Sequence, residues 1–129
     1  ALKLAQTLQQ RGGALGLRKV IYPGLASHPQ HDLARRQMFN FGCVVSIEVE
    51  GDLARVERIL TTTRYFHFAV SLGSVESLIQ HPFSLTHAVV PEEQKNDLGI
   101  GPQLIRISVG LEDPADLEAD LVHALISSQ

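Results

Sequence analysis

Residues 104–121 read LIRISVGLEDPADLEADL, and two periodicities meet inside that stretch. In its first half the branched Ile105, Ile107 and Val109 fall on one face of a strand, which turns Arg106 and Ser108 to the other. In its second half Asp113 is placed to cap a helix, with Pro114 at the first helical position and acidic Asp116 at the third, ahead of Leu117, Leu121 and Leu125. A half-apolar strand that runs almost directly into an amphipathic helix belongs to a layered fold of sheet and helices.

The rest of the chain repeats that alternation. Leu2, Ala5 and Leu8 recur at helical spacing and stop at Gly12-Gly13. Lys19 to Tyr22 is a short strand closed by Pro23-Gly24, after which Ser27 or His28 can cap a helix with Pro29 in first position that runs to Met38. Cys43, Val45, Ile47 and Val49 alternate with Val44, Ser46, Glu48 and Glu50, the period of a half-buried strand. Gly51-Asp52 then caps a helix carrying Leu53, Val56, Ile59 and Leu60, and Phe66 to Val70 is a further strand. Ser71-Leu-Gly breaks this run, and the amphipathic stretch that follows, to Pro82, reads as a corner feeding a short helix. Pro91-Glu-Glu-Gln opens another short helix before the last strand. The expected architecture is an α/β two-layer sandwich: a mostly antiparallel sheet of four strands, helices on one face, and a second face left for solvent, a ligand or another domain.

The chain of 129 residues, 44% hydrophobic, is expected to form a single domain. Its formal charge of −3, from 14 acidic and 11 basic residues, suits neither nucleic acid nor an anionic membrane surface. One cysteine, Cys43, allows no internal disulfide, and no apolar run approaches the roughly 20 residues that cross a bilayer. A cytoplasmic location is expected. The sequence opens at Ala1, inside a helix-like pattern, and reads as part of a longer polypeptide.

Few residues suggest chemistry by themselves. His28 and His31 share a spacing of three, but no cysteine or carboxylate joins them as a metal set. Gly99 and Gly101 precede a strand, whereas a dinucleotide-binding loop follows one. Cys43 lies on the apolar side of its strand, as a small buried hydrophobe would. His67, His81 and His87 are scattered. Arg106 is more informative, because a guanidinium on an otherwise apolar strand needs an anion. An internal ion pair with Glu48 or Glu76 and a two-pronged clamp on a small carboxylate satisfy that need equally.

Three stretches carry a resemblance: YPGLASHPQHDLARRQM (22–38), AVSLGSVESLIQHPFSLTHA (69–88) and GIGPQLIRISVGLEDPADLEADL (99–121). They resemble the C-terminal domain of the Cys/Met-metabolism family of pyridoxal-phosphate enzymes, the trans-sulfuration enzymes, and the likeness covers essentially all 129 residues in order. The resemblance implies that residues 1–129 are the small C-terminal domain of an aspartate-aminotransferase-like fold, with the larger cofactor-binding domain upstream. It implies that Arg106 grips the substrate α-carboxylate, and that Ser71 lies beside the cofactor-bearing lysine and helps place the substrate. It further implies that Leu72 lines the pocket, that Glu76 sits at the rim and influences which side chain is accepted, and that Thr86 lies near the same carboxylate. The implied cofactor is pyridoxal phosphate, the implied substrate a sulfur amino acid such as cystathionine, and the implied assembly a homo-oligomer, a tetramer in the family. Neither nucleic acid nor membrane is an expected partner.

The family's Schiff-base lysine has no counterpart here: Lys3, Lys19 and Lys95 lie in no matching motif, so residues 1–129 are expected to be inactive alone. Departures from the pattern are Cys43 where glycine is common, Ser74 for the second glycine of SLGG, and Phe83-Ser-Leu. A noncatalytic module that binds an amino acid on its open sheet face, or that dimerises, fits the same alternation. An RNA-binding sheet is disfavoured by the acidic charge and by the lack of paired aromatics on the strands.

Overall fold

A computed structural model describes residues 1–129. In chain order the elements are α1 (Leu2–Arg11), β1 (Leu17–Ile21), α2 (His31–Gln37), β2 (Val44–Val49), α3 (Leu53–Thr62), β3 (His67–Phe68), β4 (Leu78–Gln80), α4 (Glu92–Asp97), β5 (Leu104–Ser108) and α5 (Pro114–Ser127). They build one five-stranded sheet in the order β1-β2-β5-β4-β3. Its β1–β2, β2–β5 and β5–β4 pairs are antiparallel, and β3 joins β4 in parallel at the edge.

The alternation read from the sequence sets the layers. Val45, Ile47 and Val49 of β2, Ile105 and Ile107 of β5 and Ile79 of β4 are buried without residual exposure. They form one core with Leu4, Ala5 and Leu8 of α1, Val56, Ile59 and Leu60 of α3, and Leu117, Leu121, Ala124 and Leu125 of α5. Side chains of one strand parity therefore meet the helices and those of the other parity face away, as period-2 geometry requires. On α1 the inward set is Leu4, Ala5 and Leu8, whereas Leu2, expected on that face, is exposed.

Caps fix where two helices begin. Asp52 Oδ1 accepts from the Arg55 N–H at 3.0 Å, and Asp113 Oδ1 accepts from the Ala115 and Asp116 N–H groups at 2.8 and 3.4 Å, each satisfying donors that the first turn leaves free. The helix expected from Pro29 starts later, at His31. The His28 ring instead accepts from the Gln30 N–H at 3.1 Å and closes a turn ahead of the helix. Arg55, buried on α3, donates to the carbonyls of Gly16, Glu50, Leu15 and Leu125, so one guanidinium ties the entrance of β1 and the exit of β2 to the end of α5. Gly16 takes φ +62° directly beneath it, and a Cβ there would lie 2.6 Å from Arg55 Nη1.

One expectation fails in an informative place. The sheet has five strands, not four, because the stretch expected to become a short helix after Ser71 contains β4. Ser77 to Pro82 is buried without a break, so the segment lacks the exposed face an amphipathic helix needs. Its partners decide its conformation: Leu78, Ile79 and Gln80 pair with Ser108, Ile107 and Arg106. Pro82 adds a local reason, since a residue before proline is pushed out of the helical region. The strand expected over Phe66 to Val70 shrinks to His67–Phe68, both exposed on the sheet edge.

Candidate functional site

Arg106 lies on the sheet face away from the core, between Ser46 of β2 and Gln80 of β4. Gln80 is buried, 1% exposed, and its amide is assigned with the oxygen toward the guanidinium, since the other orientation would set an NH2 against three N–H donors. That oxygen lies 2.7 Å from Arg106 Nη2, 2.9 Å from Nε and 3.2 Å from Nη1. A longer contact of 3.5 Å runs from Nη2 to the Ser71 carbonyl oxygen. Both partners are neutral. The ion pair with Glu48 or Glu76 left open by the sequence is not formed: Glu48 stands opposite Leu104 and Lys19, and exposed Glu76 uses its own N–H on Ser74 Oγ. Burial lowers the Arg106 pKa from the ordinary arginine range, the sign expected of a cation that loses water with no anion to replace it. The guanidinium is held in place by hydrogen bonds that leave its charge uncompensated.

The corner Ser71-Leu-Gly passes beside this group. Ser108, the next outward residue of β5, accepts from the Gly73 N–H through Oγ at 2.8 Å, so the segment from Ser71 to Ser77 crosses the outer sheet face. Ser71 and Leu72 are exposed there, next to Val70 and Val75, which are also exposed. Ser71 and Arg106 are thus brought together through the Ser71 main chain. Glu76 and Thr86 make only local contacts, the Thr86 hydroxyl lying 2.9 Å from His87 Nδ1.

Other candidates have structural positions. His81 is buried: its Nε2 donates to the Pro102 carbonyl at 2.9 Å, which leaves Nδ1 to accept from the Ser84 hydroxyl at 2.8 Å. The His31 ring stacks on Phe41 at 5.4 Å, and its Nδ1 donates to the Pro23 carbonyl at 2.8 Å. No cluster of three or more His, Cys, Asp or Glu that could hold a metal is gathered anywhere. Cys43, expected to be buried, is only half-buried. It lines a groove of about 510 Å³ with Tyr22, Phe41 and Val109. No helix is long and apolar enough to cross a membrane.

Sequence reasoning missed Gln80, the principal partner of Arg106, because a helix was expected where β4 forms. Its signal was available only through register, since Gln80 faces Arg106 once Ile79 is set against Ile107. Ser77 and Glu112, which clip the corner to the end of β5, were missed for the same reason.

Comparison with known proteins gives this geometry a context. Residues 1–126 match the family model described as Cys/Met metabolism PLP-dependent enzyme. The chain belongs to that family. Among its relatives are the cystathionine beta-lyase of Coxiella burnetii, 45% identical over 97% of this chain and 32% of that protein, and the cystathionine gamma-lyase of Dictyostelium discoideum, 50% identical over 83% of this chain and 28% of that protein. The crystal structure of cystathionine gamma synthase from Xanthomonas oryzae pv. oryzae in complex with cystathionine superposes with a TM-score of 0.89 at 41% identity, covering 98% of this chain and 33% of that one. The chain thus spans about a third of the length of these Cys/Met-metabolism proteins. The family depends on pyridoxal phosphate. Of the three lysines, Lys3 and Lys19 are exposed, and buried Lys95 donates to the Phe83 carbonyl at 3.1 Å with its ammonium 4.3 Å from the Phe83 ring centre.

Proposed function

We propose that this chain is the small C-terminal domain of a pyridoxal-phosphate-dependent trans-sulfuration enzyme that acts on sulfur amino acids such as cystathionine, and that it supplies the clamp for the substrate α-carboxylate. The observation that carries the reading is the neutral surrounding of Arg106, a planar cation fixed by Gln80 and Ser71 with no carboxylate of its own. Such a group is ready to receive an anion, and the guanidinium fork matches a carboxylate better than an ammonium does. In this reading Ser71 helps place the substrate beside the cofactor, Leu72 lines the pocket, Glu76 acts at its rim on side-chain choice, and Thr86 lies near the carboxylate. The cofactor, which supplies an electron sink for chemistry at the α-carbon, is held by a larger upstream domain, and the enzyme works as a homo-oligomer in the cytoplasm. Residues 1–129 alone are inactive.

Titration of the isotopically labelled chain with L-methionine and with its carboxamide tests the clamp. The carboxylate should shift the Arg106 Nε–H and Gly73 N–H resonances and the carboxamide should not. Equal responses to the two, or none to the carboxylate, would overturn the reading. The purified chain supplied with pyridoxal phosphate should release no ketoacid from cystathionine, and turnover above background would defeat the claim of inactivity.

A further inference from the structure

The segment that passes Arg106 is irregular, and its position is set by a set of contacts at the exit of β5. Ser77, fully buried, donates its N–H to Glu112 Oε1 at 2.7 Å and its hydroxyl to Glu112 Oε2 at 2.8 Å. The same hydroxyl oxygen accepts from the Gly110 N–H at 2.8 Å. The Leu111 N–H donates to the Val75 carbonyl at 2.9 Å, and Ser108 Oγ accepts from the Gly73 N–H. Residues 73–77 are thus fastened to residues 108–112 at four places. The two-pronged grip of a carboxylate on one residue's N–H and O–H is the strongest of these, because its acceptor is charged. Gly110 makes the approach possible: a Cβ there would collide with the Val75 carbonyl oxygen and lie 2.6 Å from Glu112 Oε2.

We propose that Glu112 is a positioning residue of the carboxylate site: by gripping Ser77 it holds the Ser71–Ser77 segment over β5, and so fixes Ser71 beside Arg106 and the Gly73 N–H on Ser108. The inference rests on the reading of Arg106 as the clamp. Glu112 need not touch the substrate. It acts through a segment that has no helix or sheet of its own to define it between Phe68 and Leu78. A carboxylate bound at Arg106 meets a wall whose placement depends on a side chain at the far end of that segment. Weakening the grip leaves the guanidinium and its Gln80 partner in place while the wall beside them loosens.

Two readouts on the labelled chain test this. In Glu112→Ala, hydrogen exchange at Ser77, Gly110 and Gly73 should speed up by about tenfold or more, the equivalent of one lost charge-assisted hydrogen bond, while Val45, Ile47 and Ile107 exchange as in the parent. The dissociation constant for L-methionine should rise at least about threefold, and Glu112→Gln, which keeps an acceptor for the Ser77 N–H, should recover part of both effects. Parent-like exchange at Ser77 and Gly73 in a folded Glu112→Ala overturns the proposal. So does faster exchange with unchanged affinity, which would reduce Glu112 to a brace. Should Glu112→Ala fail to fold, the same pair of measurements on Glu112→Gln and Ser77→Ala decides by the same criteria. A parent chain that ignores L-methionine would sink the clamp reading, and the exchange comparison alone would then decide whether Glu112 holds the segment.

Discussion

Truncating Arg106 separates a clamp from a brace, because the two roles load different measurements. In Arg106→Ala the Gln80 oxygen loses the donors that meet it at 2.7 to 3.2 Å. A buried amide left without a partner costs about 1–3 kcal/mol, and the half-buried position of Arg106 lets water reach the vacated space, which favours the lower end of that range. About 1 kcal/mol corresponds to a fall in Tm of about 4 °C for a domain of this size. The binding side is larger. On the proposed clamp reading, removing the partner of a bound carboxylate costs about 2–5 kcal/mol, which is about thirtyfold to several thousandfold in kcat/KM of the proposed full-length enzyme toward a sulfur amino acid. Arg106→Lys keeps the charge without the fork and should fall between the two. Thermal melting and steady-state kinetics on the same purified variant are the assay, with the cofactor absorption as a check that the cofactor remains bound. A Tm lowered by ten degrees or more, about 2.5 kcal/mol on the same scale, together with kcat/KM near that of the parent, would refute the reasoning and make Arg106 a sheet brace.

Other positions give independent tests. Asp120, nearly buried on α5, accepts the Arg64 N–H at 2.9 and 3.0 Å and the Tyr65 N–H at 2.9 Å; Asp120→Ala strands both donors and should cost about 2–4 kcal/mol in denaturant unfolding, whereas a loss below 0.5 kcal/mol would mean that water replaces the carboxylate. Gly110→Ala puts a methyl against the Val75 carbonyl and should destabilise by about 1–3 kcal/mol while moving the Gly73 and Ser77 resonances; an unshifted spectrum would show that the strap is slack. At Glu112 burial opposes the charge, but hydrogen bonds from the Ser77 N–H and hydroxyl, with His67 nearby, outweigh it and hold the carboxyl below the ordinary glutamate range. The folded pKa being the lower one, this contribution is fully present above about pH 4.5 and is lost as the pH falls through the depressed value. Glu112→Gln should therefore flatten the acid limb of the stability curve in that window, and an acid limb identical to the parent's would contradict the sign.

Local signals carried most of the fold. Alternation in β2 and β5 placed Val45, Ile47, Ile105 and Ile107 on the core face, and Asp52 and Asp113 marked the starts of α3 and α5 because a cap is a bond between near neighbours in sequence. The failure at β4 has the opposite cause. Its three residues are buried, so no periodicity distinguishes strand from helix, and the decision falls to β5, which lies far along the chain. Arg106 could be placed on the outward face from its strand alone. Whether it met a carboxylate could not, because that depended on the register of β4 against β5.

The same register explains why the site is built as it is. Once Ile79 pairs with Ile107, Gln80 must face Arg106 and Leu78 must face Ser108, so the strand that completes the core also delivers the neutral partner of the cation. A carboxylate at position 80 would have joined an arginine already short of water and filled its coordination from within the sheet. An apolar residue would have left the guanidinium to wander, since a side chain with several free torsions loses entropy only when something holds it. An amide does neither: it holds the guanidinium and leaves the positive charge to be met from outside. The corner at Ser71–Ser77 then gains a reason for lacking regular structure. A helix there would have buried its own N–H groups, whereas an irregular strap fastened by Ser108, Gly110 and Glu112 can bring the Ser71 carbonyl up to Arg106 while leaving Ser71 and Leu72 exposed on the outer face.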